Sequence, residues 1–178
     1  YHRASRSLQF FYFDGVIADE ETTVYTCLSP DIVAHETAHA ILDGIAPDLY
    51  DATSPQSLAL HEAIADITAM LFAAQSSRLA TLVLEDNGGD LRKPGAFNAI
   101  AEQFGRARSG RIQPLRDLMN DRTMTSVPSA TPHALSEVLT GTLYALMLWV
   151  FDTEMAEELA EVPEAEQADE RFSRSGRV

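Results

Sequence analysis

Cysteine occurs once in the 178 residues, at Cys27, so no intrachain disulfide can form and the redox compartment stays open. A lone cysteine with no further signal reads as a small buried hydrophobe, an inert thiol. Lysine also occurs once, as Lys93, among 13 basic residues, a compositional bias that carries no function. Positive charge is scarce throughout: 13 Lys and Arg face 27 Asp and Glu, for a net charge of −14. Nucleic acid and anionic membrane surfaces would repel such a chain, so neither is an expected partner. Long hydrophobic runs are missing too. The longest, Leu143 to Phe151, is too short to span a bilayer and reads as part of a core helix. Repeats are absent, and biased composition is confined to the acidic end. No signal peptide is visible. The chain opens at Tyr1 without a methionine, directly into an apolar stretch, which suggests that upstream sequence is missing or removed; upstream or downstream domains of a longer chain are the partners this leaves open.

What is present is enough for one core. Hydrophobic residues make up 46% of the chain, which excludes a disordered polymer, and the length fits one domain. Nine acids and no bases fall between residues 152 and 170, the pattern of a solvated helix face running into a tail. Residues 1–151 therefore read as the working domain and 152–178 as an acidic helix end and tail.

Leu8 to Phe13 is short and aromatic and ends at Asp14-Gly15, a strand followed by a turn; β-branched Thr22 to Leu28 reads as a second strand. Ser29-Pro30-Asp31 then starts a helix with a hydroxyl cap, proline at the first helical position and an acid in the first turn. That helix carries His35, Glu36 and His39 and ends near Gly44. Ala46 to Ser54 reads as a loop. Ser54-Pro55 starts a second helix that runs through Phe72 with Glu62 and Asp66 one turn apart. Residues 85–95 have turn chemistry, Ala96 to Arg108 reads as helix, and Ser109 to Pro132 as loop. The last element is a long helix from Ala134 to Glu161, interrupted at most by Gly141.

Residues 35–39 spell His-Glu-Thr-Ala-His. Histidines at i and i+4 share one helix face, so both imidazoles can reach a single zinc ion at about 2.0–2.1 Å. Glu36 stands one residue round from the first ligand, where it can take the proton of a metal-bound water. Glu62 lies 23 positions past His39 and supplies a third ligand. Three protein ligands with an open fourth position make a catalytic site rather than a structural one. The helix bearing Glu62 and Asp66 is apolar nearly all round. Two carboxylates on a buried helix need partners, and a cation with its histidines provides them. His61 neighbours Glu62, but adjacent helical residues point about 100° apart, so it is expected to face away from the metal. His2 reads as a terminal surface residue.

The set His35-Glu36-x-x-His39, Glu62 and Asp66 resembles the thermolysin-like gluzincin metallopeptidases, whose third zinc ligand is the Glu of a Glu-x-x-x-Asp motif on the next helix. The likeness extends to Val33-Ala34, Ala40, Asp43, Tyr50 eleven residues past His39, and the segment His133-Ala134-Leu135-Ser136. It covers roughly residues 8–150, most densely 31–72. The resemblance implies zinc on His35, His39 and Glu62, with Glu36 as general base. Asp66 would hydrogen-bond the free nitrogen of His35, and Tyr50 and His133 would donate hydrogen bonds to an oxyanion. Asp43 would be structural. It also implies an extracellular or periplasmic setting.

The chain departs from the family in places. Pro128 stands where the family places an Asp before its catalytic histidine. Of the family's calcium ligands only Asp31 has a counterpart, and Ala73 replaces a further acid, which argues against a double calcium site. The edge strand that grips substrate would lie at or before Tyr1.

These readings combine into an α+β protein: a small N-terminal β-layer followed by a mainly helical lobe built around a zincin-type zinc helix. The expected activity is zinc-dependent endopeptidase-like hydrolysis of a peptide or protein substrate. The alternatives are a zinc-binding scaffold that has lost turnover and a metallohydrolase of non-peptide amides.

Overall fold

The computed structural model describes residues 1–17, 20–51, 54–93, 99–100 and 116–159. Strands β1 (Tyr12–Ile17) and β2 (Glu20–Tyr25) form an antiparallel ribbon with Tyr12 opposite Tyr25 and Ile17 opposite Glu20. This shifts β1 four residues along from the expected Leu8–Phe13, so Asp14-Gly15 is mid-strand and not a turn. Cross-strand pairing outweighs the local turn signal here. The Tyr12 and Tyr25 rings sit 5.6 Å apart, and the Thr23 hydroxyl donates to Asp14 at 2.8 Å. β2 stops at Tyr25 because Thr26 turns inward: its hydroxyl donates to the Phe11 carbonyl at 2.8 Å and accepts from the Phe11 N–H at 3.0 Å. Thr26 to Leu28 is a 3₁₀ turn, and it leaves Cys27 exposed, contrary to the buried thiol expected.

Helix α1 (Pro30–Ile45) starts at the predicted signal, although the Ser29 hydroxyl does not cap it. Ser29 bonds the Asp31 carboxylate instead, and Asp31 accepts the Ile32 N–H at 2.9 Å. Pro47, expected in a loop, opens a short helix α2 (Pro47–Asp51), its fixed φ suiting a first helical position. Helix α3 (Pro55–Ala74) is capped by the Ser54 side chain, which accepts from the Ser57 N–H at 3.2 Å. Helix α4 (Ser77–Asn87) fills a stretch where no helix was expected, and includes residues 85–87 of the supposed turn. It closes on Gly88 at φ 64°, with the Gly89 N–H donating to the Leu84 carbonyl at 2.8 Å.

Ala99–Ile100 and Arg116–Asp117 pair as short antiparallel strands β3 and β4, so helix is replaced by strand at 99–100; the rest of the 96–108 reading lies outside the described residues. Helix α5 (Pro132–Leu159) runs through Gly141 without a break. Most of the acidic end, residues 160–178, also lies outside the described residues. Within α5, Glu154 and Glu157 are exposed while Asp152 pairs with Arg92.

Helix α3 is the axis of the lobe, packed against α1 on one side and α5 on the other. Ala59, Ala63, Ala65 and Ala69 of α3 are buried, and such small side chains let neighbouring helices approach closely. Ala69 joins Met70, Val83, Leu84, Leu91, Leu118, Tyr144 and Leu148 in the apolar cluster. By length and composition alone α3 and the Pro132–Glu157 stretch of α5 could cross a membrane. They pack on each other with 39% and 33% of those stretches buried, and α3 carries buried His61 and Asp66. The architecture is a small two-stranded layer beside a mainly helical region, an α+β arrangement.

Candidate metal centre

Where α1 crosses α3, three side chains converge. The i, i+4 spacing puts His35 and His39 on the buried stripe of α1, and Glu62 faces them from the second turn of α3. His35 Nε2 and His39 Nε2 are 2.9 Å apart. Glu62 Oε2 lies 3.5 Å from His35 Nε2, and Glu62 Oε1 lies 3.5 Å from His39 Nε2. A tetrahedral ion with bonds of about 2.0–2.1 Å needs ligand atoms about 3.3 Å apart, which these separations bracket. The group can therefore hold a metal ion, and it is a buried one.

Electrostatics keep the donors in the right form. Burial alone would raise the Glu62 carboxyl, but the surrounding imidazoles of His133, His35 and His39 outweigh it and hold Glu62 well below the usual carboxylate range. Glu62 is thus ionised, as a ligand must be. Asp66, fully buried one turn further along α3, places Oδ1 2.8 Å from His35 Nδ1. A carboxylate there takes the Nδ1–H and leaves the lone pair on Nε2, facing the ligand triangle.

His61, expected to face away from the metal, is outside the donor triangle, yet it lines the same cavity. It is buried, and its Nδ1 sits 2.6 Å from Nδ1 of His39, on the side of that ring opposite the ligand atom. The 100° step from Glu62 carries His61 toward the flank of α1, because α1 lies across this face of α3. Burial and then neighbouring His39 push the His61 imidazole below its ordinary value, which favours the neutral ring.

The same residues line a cavity of about 450 Å³ together with Glu36, Tyr50 and His133. Glu36 is half-buried, and the backbone nitrogen of Tyr1 rests against its carboxylate. Tyr50 comes from α2 and stands edge-on to His61, ring centres 5.0 Å apart. The Arg3 guanidinium covers the Tyr50 ring at 5.3 Å, and Arg3 also pairs with Asp43 at 2.9 Å. The Tyr1 hydroxyl donates to the same Asp43 carboxylate at 2.8 Å, so Asp43 ties the N-terminal segment to α1. His133, largely exposed in the first turn of α5, directs Nδ1 to Glu62 Oε2 at 3.0 Å. Asp31 lies at the start of α1, outside this cavity lining, and His2 is exposed.

Two contributors escaped the sequence reading, the His61 bond to His39 and the N-terminal segment beside Glu36. The first had a faint signal, a second histidine next to a ligand; the second had none. No protein-family model, curated protein or solved structure matches this chain.

Proposed function

We propose that the chain is a zinc-dependent hydrolase of the thermolysin-like type that cleaves peptide bonds. The observation that carries this reading is the buried His35–His39–Glu62 donor triangle opening onto a cavity also lined by Glu36. Two imidazoles and one carboxylate suit zinc, and a three-residue set leaves a position for solvent. When bound, zinc would supply Lewis acidity toward a water and a substrate carbonyl.

The chain's own groups supply the rest. Glu36 accepts the proton of the attacking water and returns it to the leaving amine. Tyr50 donates a hydrogen bond to the oxyanion, and His133 stands where it can assist. Asp66 keeps His35 oriented through the reaction. The substrate is a peptide or protein segment entering the cavity between α2, α1 and the start of α5.

Zinc content by elemental analysis and cleavage of a quenched peptide library, with and without chelator, test the reading. Glu36→Gln should keep zinc and lose hydrolysis. Full activity in that variant sinks the mechanism. A second reading, a zinc-holding scaffold without turnover, draws on the His133 bond to Glu62, which engages the proposed oxyanion donor. Stoichiometric zinc with no cleavage of any library member favours it.

A further inference from the structure

His61 is more than a neighbour of the site. Its Nδ1 meets His39 Nδ1 at 2.6 Å, and in such a contact between neutral rings one nitrogen carries the proton and the other a lone pair. An ion held on His39 Nε2 takes that atom's lone pair, so the single ring proton of His39 must sit on Nδ1. That proton points at His61.

We propose that His61 is a positioning residue for the metal centre: its Nδ1 accepts the His39 Nδ1–H and holds His39 in the tautomer and orientation that present Nε2 to the ion. The inference rests on the metal reading above and gives His39 an outer partner, as Asp66 gives one to His35. The two arms differ chemically. An ionised carboxylate can only accept, whereas a neutral imidazole accepts at Nδ1 only while its own proton is on Nε2. His61 Nε2 is buried, with no hydrogen-bond partner among the described residues, while the residue as a whole contributes to the cavity lining. The site therefore sets the tautomers of two histidines together. The Tyr50 ring standing edge-on at 5.0 Å and the near-parallel His39 ring at 4.8 Å leave His61 little freedom to turn away.

The experiment compares the whole chain with His61→Asn, whose amide oxygen can still accept, and His61→Leu, which fills the space without an acceptor. Zinc affinity is read by competition with a chromophoric chelator, and the histidine tautomers of the zinc-loaded parent by ¹⁵N NMR. The Leu variant should bind zinc about ten- to a hundredfold more weakly, with the Asn variant close to the parent. In the parent, His39 should carry its proton on Nδ1 and His61 on Nε2. Parental affinity in a folded Leu variant, or a His61 proton on Nδ1, overturns the assignment alone. If the Leu variant does not fold, the parent's tautomers still decide. A parent that binds no zinc overturns both this assignment and the reading beneath it.

Discussion

At the scale of single residues, Asp66 is the group that orients a candidate metal donor without itself belonging to the donor triangle. It is fully buried, and its contact with His35 Nδ1 at 2.8 Å decides which nitrogen of His35 is free to bind. Asp66→Asn keeps the volume and an acceptor oxygen but removes the charge. It should weaken zinc binding about tenfold to a hundredfold with the fold retained, as read by chelator competition and circular dichroism. Unchanged affinity would make the contact structural only. The spacing of His35, Glu36, His39, Glu62 and Asp66 was legible because helix periodicity converts sequence distance into a shared face. His61 was not legible in the same way. Whether its ring meets His39 depends on how α1 and α3 are rotated against each other, and no spacing within one helix encodes that.

Elements were legible where start signals and composition agreed, as at Ser29-Pro30 and Ser54-Pro55, and poorly where a local signal competed with a distant partner. The Asp14-Gly15 turn signal lost to a six-residue ladder, and α4 went unread although Leu79, Ala80, Val83 and Leu84 recur at helical spacing between the Ser76 cap and Gly88. Gly141 is the instructive case. Glycine inside a helix costs about 1 kcal/mol relative to alanine, so it reads as an interruption. Yet α5 passes straight through it, because a Cβ there would stand 2.9 Å from both the Asn120 carbonyl and its side-chain oxygen. The glycine admits the 120 segment against α5. Gly141→Ala should therefore destabilise by about 1–2 kcal/mol despite its better propensity, measured by urea unfolding.

Three residues on, the buried Tyr144 hydroxyl donates to the Leu91 carbonyl at 2.9 Å and fastens α5 to the turn after α4. Burial, with Asp117 nearby, pushes this phenol up to about 12 from 10.0. The folded state thus holds its proton to higher pH than the unfolded chain. The resulting stability, about 2–3 kcal/mol, is complete below pH 10 and lost as pH rises through about 12. Tyr144→Phe should flatten that alkaline slope, and at neutral pH should cost about 1–2 kcal/mol for the carbonyl left without its donor. Matching slopes for parent and variant would remove Tyr144 from the account.

At the scale of the whole molecule, the donor triangle bridges two helices that are also linked by the His35–Asp66 and His39–His61 contacts. The sequence conveyed the two-part α+β plan, since a short β-rich start followed by long apolar helices leaves few other ways to bury them. It did not convey how the hairpin, the N-terminal segment and α4 attach, because those contacts join distant parts of the chain. A metal on His35, His39 and Glu62 would join α1 to α3 in the native state only, and a ligand with that preference adds stability by mass action. At a free concentration a hundredfold above Kd the gain is about 2.7 kcal/mol. For a chain of this size that is a rise in melting temperature of roughly 5–10 °C. Zinc should produce the rise and a chelator should reverse it. Magnesium, which favours oxygen donors and an octahedral shell, should leave the melting curve where it was. The shift should vanish in a His39→Ala, Glu62→Ala double variant, which keeps the helices and removes two of the three donors. A zinc-induced rise of equal size in that variant would move the binding elsewhere in the molecule. No rise in the parent at any zinc concentration would leave α1 and α3 joined by packing and by the His35–Asp66 and His39–His61 contacts, with no part for a metal.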